Sequence, residues 1–205
     1  MNRIDYILKF TKNKIVLDVG GIDHSADKIS DKKWLHKQIA DSAAYILGID
    51  LAKDEVKKAQ DLGYNFIYGN AENLQEYVDT KFDVCVAGEL IEHIANPGLF
   101  LQSIRGVLAK EGRLILTTPN AFAAGNILRI LKYSLRLRVS PDNYEHKAWY
   151  DLFTLEQLLK SQGFKVEEIF TIRPDRENYF FHTIKYFFYG NANSKILCIA
   201  KKIET

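Results

Sequence analysis

The sequence predicts an α/β fold in which a mostly parallel sheet is covered by helices on both faces. Short apolar runs alternate with helical patterns over about a hundred residues after Ile15, which is typical of parallel strands joined by crossover helices. Three of these runs end at an acid, namely Asp18, Asp50 and Glu89. Since parallel strands end at one edge of their sheet, we expect the three acids to line a single pocket.

The composition is that of a globular protein. The chain has 205 residues, of which 47% are hydrophobic and 26% charged, and we expect one domain over residues 1–205. Because the net charge is only +2, we do not expect a nucleic-acid partner. No run approaches the roughly 18 apolar residues of a membrane span, and residues 1–14 lack a signal-peptide pattern. We therefore expect a cytoplasmic protein without a membrane span.

The first half of the chain contains three predicted strands. Apolar residues at helical spacing in Met1–Lys14 predict an amphipathic helix, and Ile15–Val19 predicts a buried strand that ends at two glycines. A polar stretch then leads to a helical pattern that begins at Trp34. The second strand, the next helix (closed by Gly63) and the third strand are predicted at Tyr45–Ile49, Ala52–Leu62 and Asn65–Tyr68.

The second half completes the sheet. Asn96-Pro97 starts a helix with apolar residues as far as Leu108, and Lys110–Gly112 is predicted to be a turn. Thr154 is the predicted N-cap of a later helix. The remaining strands are predicted at Phe82–Ala87, Arg113–Thr118, Phe164–Ile172 and Ile196–Lys201, the last two as an antiparallel hairpin. Residues 120–150, with a predicted helix over Ala121–Arg138, form a helical insertion that we expect to act as a lid.

The strand ends carry residue types that suit a nucleoside ligand. Glycines at Gly20 and Gly21 allow a ligand to approach backbone N–H groups closely. The carboxylate of Asp50 can accept both hydroxyls of a ribose; the alternative is an N-cap of the helix over Ala52–Leu62, and one residue could serve in both ways. Asn70-Ala71-Glu72 follows the third strand, where an amide could bind an adenine edge or merely form a polar turn.

Motifs that arrive in a fixed order then indicate a family. The run Gly88-Glu89-Leu90-Ile91-Glu92-His93-Ile94 is followed by Asn96-Pro97 and by Thr117-Thr118-Pro119-Asn120. From about Ile15 to Phe170 the chain resembles class I S-adenosylmethionine-dependent methyltransferases, and is similar to the ubiquinone-biosynthesis O-methyltransferases. The resemblance implies a Rossmann-like, seven-stranded sheet whose last strand is antiparallel, S-adenosylmethionine as cofactor, and methyl transfer to oxygen.

The resemblance also implies roles for individual residues. The methionine part and ribose of the cofactor would lie against Asp18, Val19, Gly20 and Gly21. Asp50 would hold the ribose hydroxyls, and the adenine would lie against Leu51, Asn70, Ala71 and Glu72. Gly88, Glu89 and Leu90 would close the site beside the sulfonium. One departure stands out, because the family usually has three glycines at alternate positions, whereas this chain has Gly20-Gly21-Ile22-Asp23-His24.

Glu89, Glu92, His93 and His146 are candidates for the chemistry. Residues three or four apart on a helix share a face, so Glu89 and Glu92 or His93 would converge there. With His146 they could bind a divalent metal, Mg²⁺ or Mn²⁺, that activates a substrate hydroxyl. The alternative is that the two acids serve as cap and helix-dipole residues and that His146 only lines the lid. Without a metal, His93 or His146 is the candidate general base.

Several functional alternatives stay open. The acceptor is expected to be a small molecule or a saccharide or lipid-linked compound. A non-catalytic nucleoside-binding or interaction module would explain the altered turn, and a metal-assisted RNA 2′-O-methyltransferase would share the Glu-His set. An NAD-dependent oxidoreductase would need a Gly-x-Gly-x-x-Gly turn, which this chain lacks. The aromatic segment Tyr179–Tyr189 could pack in the core, line the substrate site or form a homodimer contact.

Overall fold

The computed structural model describes residues 3–22, 34–135, 145–172 and 195–203, and in these ranges seven strands form one sheet. The strand order is β3-β2-β1-β4-β5-β7-β6, in which β7 runs antiparallel to both neighbours and every other pair is parallel. The strands are β1 (Ile15–Val19), β2 (Tyr45–Asp50), β3 (Phe66–Tyr68), β4 (Phe82–Gly88), β5 (Leu108–Pro119), β6 (Phe164–Ile172) and β7 (Lys195–Lys202). The predicted fold class is confirmed.

Helices cover both faces of this sheet. They are α1 (Arg3–Thr11), α2 (Leu35–Ala40), α3 (Lys53–Asp61), α4 (Pro97–Val107), α5 (Ala124–Ser134) and α6 (Leu152–Ser161), with short 3₁₀ helices at Ala71–Glu76 and Ile91–His93. Alternate residues of β1 face opposite sides. Val16 packs in a cluster with residues of α1 and α2, and Leu17 packs in a larger cluster with α4 and α6.

The pairing of the first three strands determines what lies beneath the glycine turn. Asp18 pairs with Gly48 and Gly48 pairs with Phe66, so these three residues share one face of the sheet. That face also carries Val16, and therefore it is the face covered by α2. A Cβ atom at Gly48 would lie 2.2 Å from the Phe66 ring, so only glycine leaves room for that ring beside Asp18.

The predicted turn at Lys110–Gly112 lies inside β5 rather than before it. Phe82 pairs with Leu108, but two residues later Val84 pairs with Arg113, so β5 holds extra residues at this point. Glu111 has a φ of +65°, which marks the excursion. The strand therefore begins five residues earlier than expected from its apolar run, because Leu108 already pairs with Phe82.

The predicted N-cap at Thr154 is wrong. The N-cap of α6 is Asp151, whose carboxylate accepts hydrogen bonds from the backbone N–H groups of Phe153 (2.7 Å) and Thr154 (3.0 Å). Thr154 is the third helical residue, and its hydroxyl accepts the N–H of Asp151 at 3.0 Å. The two side chains form a reciprocal capping box in which Thr154 holds the place that glutamate or glutamine usually takes.

Some sequence predictions fall outside the described residues. They concern Asp23 and His24 of the altered turn, the last residues of the helix predicted over Ala121–Arg138, and the aromatic segment Tyr179–Tyr189. The helix predicted over Ala121–Arg138 is represented by α5 in the described part. Across those described ranges, none of the helices combines the length and apolar character needed to cross a bilayer.

Replacing Asp151 by alanine is expected to lower the free energy of unfolding by about 1 kcal/mol, because α6 loses both hydrogen bonds at its first turn. Urea denaturation followed by circular dichroism measures this change. Asp61→Ala is the matched control, since Asp61 is the exposed last residue of α3, and there we expect a change within about 0.5 kcal/mol. Equal stability of Asp151→Ala and the unmodified chain would contradict the capping role.

Candidate active site

The turn after β1 is tightly packed around its two glycines. Gly20 has a φ of +71°, which side chains rarely tolerate, and its N–H donates to the carbonyl of Ile49 at 2.8 Å. A Cβ atom at Gly20 would lie 2.8 Å from the Leu90 side chain, and one at Gly21 would lie 2.3 Å from Oδ2 of Asp18. Both glycines are therefore required by this geometry, and the next residue, Ile22, is buried against Trp34.

Asp50 joins the end of β2 to the same turn. Its Oδ2 accepts the N–H of Ile22 at 3.1 Å, and its Oδ1 accepts the N–H of Ala52 at 2.9 Å. Burial raises the pKa of the Asp50 carboxyl, and these backbone hydrogen bonds act in the opposite direction. Each carboxylate oxygen has a second lone pair, so both can still accept a ribose hydroxyl. Leu51 beside it is 59% exposed, and so presents an apolar surface next to Asp50.

Asn70 and Glu72 are engaged in local hydrogen bonds. The Asn70 side chain accepts the N–H of Glu72 at 2.9 Å and caps the 3₁₀ helix that begins with the buried Ala71. The Glu72 carboxylate accepts the N–H of Asn96 at 2.9 Å. The polar-turn explanation therefore describes the contacts seen, and the assignment of these residues to adenine stays a prediction.

Glu89 holds a strained backbone conformation at the end of β4. Its φ is +55°, in the left-handed region that glutamate rarely adopts, and its N–H donates to the carbonyl of Thr117 at 2.8 Å. Its carboxylate forms an ion pair with Lys195 at 2.9 Å. Glu89 and Leu90 are half-buried and directly follow the end of β4. Backbone strain of the kind seen at Glu89 is often found at functional sites.

Glu92, His93 and His146 come together, but they do so without a long helix. Glu92 and His93 belong to the one-turn 3₁₀ helix, and Glu89 precedes it with its different backbone conformation. The expected shared helix face for Glu89, Glu92 and His93 is therefore not formed. One ligand atom from each of Glu92, His93 and His146 lies within 4.8 Å of the others, and Glu89 is not in this group.

Glu92 is a buried acid with a strongly altered environment. It is 2% exposed, and its carboxylate accepts the hydroxyl of Thr118 at 2.9 Å. Burial, together with the negative charge of Glu89, raises the pKa of Glu92 to about 7. Burial also raises the pKa of the nearby Tyr150 hydroxyl, to which the charge of Glu92 adds. These groups form a buried polar cluster beside the apolar core.

The segment 145–149 brings His146 close to Glu92 and His93. The N–H of Lys147 donates to the carbonyl of Glu92 at 2.7 Å, which fixes the segment against the 3₁₀ helix. The His146 ring lies 4.9 Å from that of His93 and 5.5 Å from that of Trp149, centroid to centroid. Burial and the neighbouring His93 lower the pKa of His146. A histidine with a lowered pKa is neutral at pH 7 and can accept a proton or bind a metal.

The structure adds residues that the sequence pattern did not single out. Asp18 faces His36 rather than an open cleft, with 2.9 Å between Oδ2 and Nδ1. Trp34 donates its indole N–H to the carbonyl of Gly21 at 2.8 Å. For His36 the available signal was a histidine on a predicted helix face, and for Thr118 a hydroxyl inside an apolar strand. Pairing of these groups depends on tertiary packing, which the sequence alone does not reveal.

Comparison with known proteins identifies the family of the chain. A family model described as a methyltransferase domain matches residues 2–169. The chain belongs to the class I S-adenosylmethionine-dependent methyltransferases.

Among relatives of this methyltransferase domain, the ubiquinone biosynthesis O-methyltransferase of Azorhizobium caulinodans is 30% identical over 144 residues, covering 66% of this chain and 56% of that protein. The protein of the same name from Maricaulis maris is 32% identical over 94 residues, covering 43% and 37% of the two chains. The chain thus spans only part of the length of these relatives.

Solved structures of methyltransferases share the fold. A Mesorhizobium loti S-adenosylmethionine-dependent methyltransferase has a TM-score of 0.65 at 14% identity, covering 97% of this chain and 95% of that one. Magnesium protoporphyrin IX methyltransferase of Synechocystis PCC 6803, solved with bound S-adenosylhomocysteine, has a TM-score of 0.63 at 15% identity, covering 97% and 81%. At these identities the likeness concerns the fold alone.

Gly21→Ala is expected to weaken S-adenosylhomocysteine binding by about tenfold or more and to lower stability by about 1–3 kcal/mol, because the new methyl group must displace the Asp18 carboxylate. Calorimetric titration and thermal melting measure the two effects. Gly125→Ala on α5 is the matched control, since a Cβ atom there meets no atom within 4 Å. Wild-type binding by Gly21→Ala would show that the turn is not the cofactor site.

Proposed function

We propose that this methyltransferase domain transfers a methyl group from S-adenosylmethionine to a hydroxyl oxygen of a small-molecule acceptor. The observation that carries the proposal is the convergence of Glu92, His93 and His146 beside the end of β4, one strand away from the glycine turn on β1. A nucleoside bound at the turn and an acceptor at the Glu-His cluster would meet above the ends of these neighbouring strands.

The cofactor half of the proposal uses the ends of β1, β2 and β4. Gly20 and Gly21 would lie against the methionine part and the ribose, and Asp50 would accept the ribose hydroxyls. Gly88, Glu89 and Leu90 would close over the sulfonium, because Leu90 already packs against Gly20. The sulfonium is itself a good electrophile, so these residues contribute chiefly by alignment and proximity.

The acceptor half concerns the proton of the hydroxyl. During in-line transfer the acceptor oxygen forms its bond to the methyl carbon while the bond from that carbon to sulfur breaks, and the hydroxyl proton must leave. His146, neutral at pH 7 and beside His93, would take that proton as general base. Glu92 and Thr118 would hold the polar side of this cluster through their buried hydrogen bond.

A divalent metal is the second candidate for activating the hydroxyl. One carboxylate and two imidazoles form a ligand set that suits Mn²⁺ better than Mg²⁺, which prefers oxygen ligands. The donor atoms of Glu92, His93 and His146 are close enough to share an ion. A bound cation would offset the desolvation cost of the buried Glu92 carboxylate, and it would lower the pKa of the acceptor hydroxyl.

The chemical class of the acceptor follows from the relatives and from charge. The names of the relatives point to oxygen and to a quinone precursor, and we extend only the oxygen to this chain. The net charge of +2 disfavours RNA as acceptor, since RNA-binding surfaces are strongly basic. A saccharide or lipid-linked hydroxyl remains within the proposed class, and an acceptor panel separates it from a phenolic hydroxyl.

The alternative is a non-catalytic nucleoside-binding or interaction module on the same fold. The [4+2]-cyclase SpnF shares the fold, with a TM-score of 0.64 at 20% identity, covering 98% of this chain and 81% of that one. The fold is therefore compatible with other chemistry. The altered glycine turn favours this alternative, whereas Asp50 and the Glu-His cluster favour methyl transfer.

Replacing His146 by glutamine is expected to lower turnover about a hundredfold, because the acceptor proton loses its base or the metal loses a ligand. Transfer of a labelled methyl group to a panel of phenolic, saccharide and RNA hydroxyls measures turnover. Binding of S-adenosylhomocysteine should stay within about threefold of the unmodified chain, since a threefold change is under 1 kcal/mol. Lys147→Gln is the neighbouring control and should retain turnover.

A chelator distinguishes the two routes to the activated hydroxyl. If a metal is used, treatment with EDTA abolishes turnover and Mn²⁺ restores it, and Glu92→Gln loses the response to Mn²⁺. If His146 is the base, turnover is unchanged by EDTA. Full turnover by His146→Gln would contradict both routes, and absence of transfer to every hydroxyl in the panel would contradict the proposed function.

A further inference from the structure

The family resemblance implies three glycines at alternate positions in this turn, whereas this chain has Ile22 and His24 at the second and third of these positions. Three described groups of the turn nevertheless have defined partners. The N–H of Gly20 donates to Ile49, the carbonyl of Gly21 accepts from Trp34, and the N–H of Ile22 donates to Asp50. One of these partners is a side chain that precedes α2.

A side chain of α2 itself, His36, acts from below the turn. The Asp18 carboxylate lies so close beneath Gly21 that no Cβ atom fits between them. Its Oδ2 is 2.9 Å from Nδ1 of His36, and both side chains are almost completely buried, at 3% and 0% exposure. A carboxylate only accepts hydrogen bonds, so Nδ1 of His36 is the donor. A carboxylate buried this deeply is costly without such a donor.

The His36 ring is itself fixed by aromatic neighbours. Its centroid lies 5.0 Å from that of Trp34, stacked, and 4.3 Å from that of Phe66. Its other nitrogen, Nε2, is buried and finds no hydrogen-bond partner among the residues that the structure describes. Aromatic packing therefore fixes the His36 ring, and its one hydrogen bond goes to Asp18. Because the ring is fixed, this hydrogen bond also fixes the position of the Asp18 carboxylate.

We propose that His36, with Trp34, is a positioning residue of the cofactor turn, and that this pair holds the backbone of Gly21 in place from both sides. Trp34 holds the Gly21 carbonyl, and His36 holds the Asp18 carboxylate on which Gly21 rests. The proposal rests on the proposed function, because it takes this turn to be where the S-adenosyl nucleoside binds. In this proposal α2 does not touch the cofactor: His36 acts on it indirectly, through Asp18 and Gly21.

The test compares His36→Leu with His36→Asn. Leucine removes the donor, whereas the asparagine amide can still donate to Asp18 from nearly the position of Nδ1. In His36→Leu we expect the Kd of S-adenosylhomocysteine to rise about tenfold or more, as loss of a hydrogen bond to a buried charge does. His36→Asn should restore most of the affinity. Hydrogen exchange in a peptide covering residues 15–22 should be faster in His36→Leu and slower again in His36→Asn.

Two further variants keep the test decisive. Leu159→Ala in α6 lowers stability at a fully buried position outside this cluster, and it should leave the Kd unchanged. Trp34→Phe removes only the indole donor, and it carries the test if His36→Leu does not fold, with the same expected rise in Kd.

Either of two results would overturn the proposal. One is affinity within about twofold of wild type in His36→Leu, or in Trp34→Phe where the leucine variant does not fold. The other is an asparagine variant that behaves like the leucine variant in both readouts. A wild-type chain that binds S-adenosylhomocysteine but methylates nothing contradicts the proposed function alone. If the wild-type chain does not bind it, the cofactor role fails, and the exchange rates alone report whether His36 holds the turn.

Discussion

The contact between the Asp18 carboxylate and the backbone of Gly21 is the constraint on which the glycine turn at the end of β1 depends. Gly21 has no room for a side chain, and the carboxylate beneath it has no access to water. A buried charge without a partner is costly, typically by several kcal/mol, so its donor must be supplied by the fold. His36 supplies it, since Asp18 lies on the face of the sheet that α2 covers.

The opposite side of the site is built on polar and strained residues rather than on close packing. Glu89 has a left-handed backbone, and Glu92 is a carboxyl group almost fully removed from water. Features of this kind each cost on the order of 1–3 kcal/mol and are retained mostly where function needs them. The well-packed turn and the strained Glu-His cluster lie at the ends of adjacent strands. In the proposed function, the rigid turn would bind the cofactor and the Glu-His cluster would carry out the chemistry.

Much of the fold could be predicted because parallel strands are buried on both faces and so appear as continuous apolar runs. The strand ends could be predicted for the same reason, since Asp18, Asp50 and Glu89 interrupt those runs. The family resemblance then placed the candidate residues in order. The apolar pattern of the sequence said least about local details such as helix caps. Asp151 and Thr154 are both good capping residues, and only the structure shows which of them begins α6.

The site could be predicted only in part, because its geometry depends on backbone conformation and on packing between elements. The left-handed backbone of Glu89 separates it from Glu92, which residue spacing on an assumed helix could not show. His36 meets Asp18 across a helix-to-sheet contact between residues eighteen positions apart. A histidine of this kind has no partner visible in the sequence, and yet it is the donor for the most deeply buried acid of the turn.

Calorimetric titration of the unmodified chain with S-adenosylhomocysteine tests most directly whether this turn binds the cofactor. The account predicts saturable binding of one equivalent with a Kd of micromolar order, equivalent to roughly −8 kcal/mol. Nucleosides that lack the homocysteine part should bind far more weakly, because they lose the contacts of that part with Gly20 and Gly21. Absence of any saturable heat with S-adenosylhomocysteine would contradict the account, since a turn held in the binding shape should need no further partner.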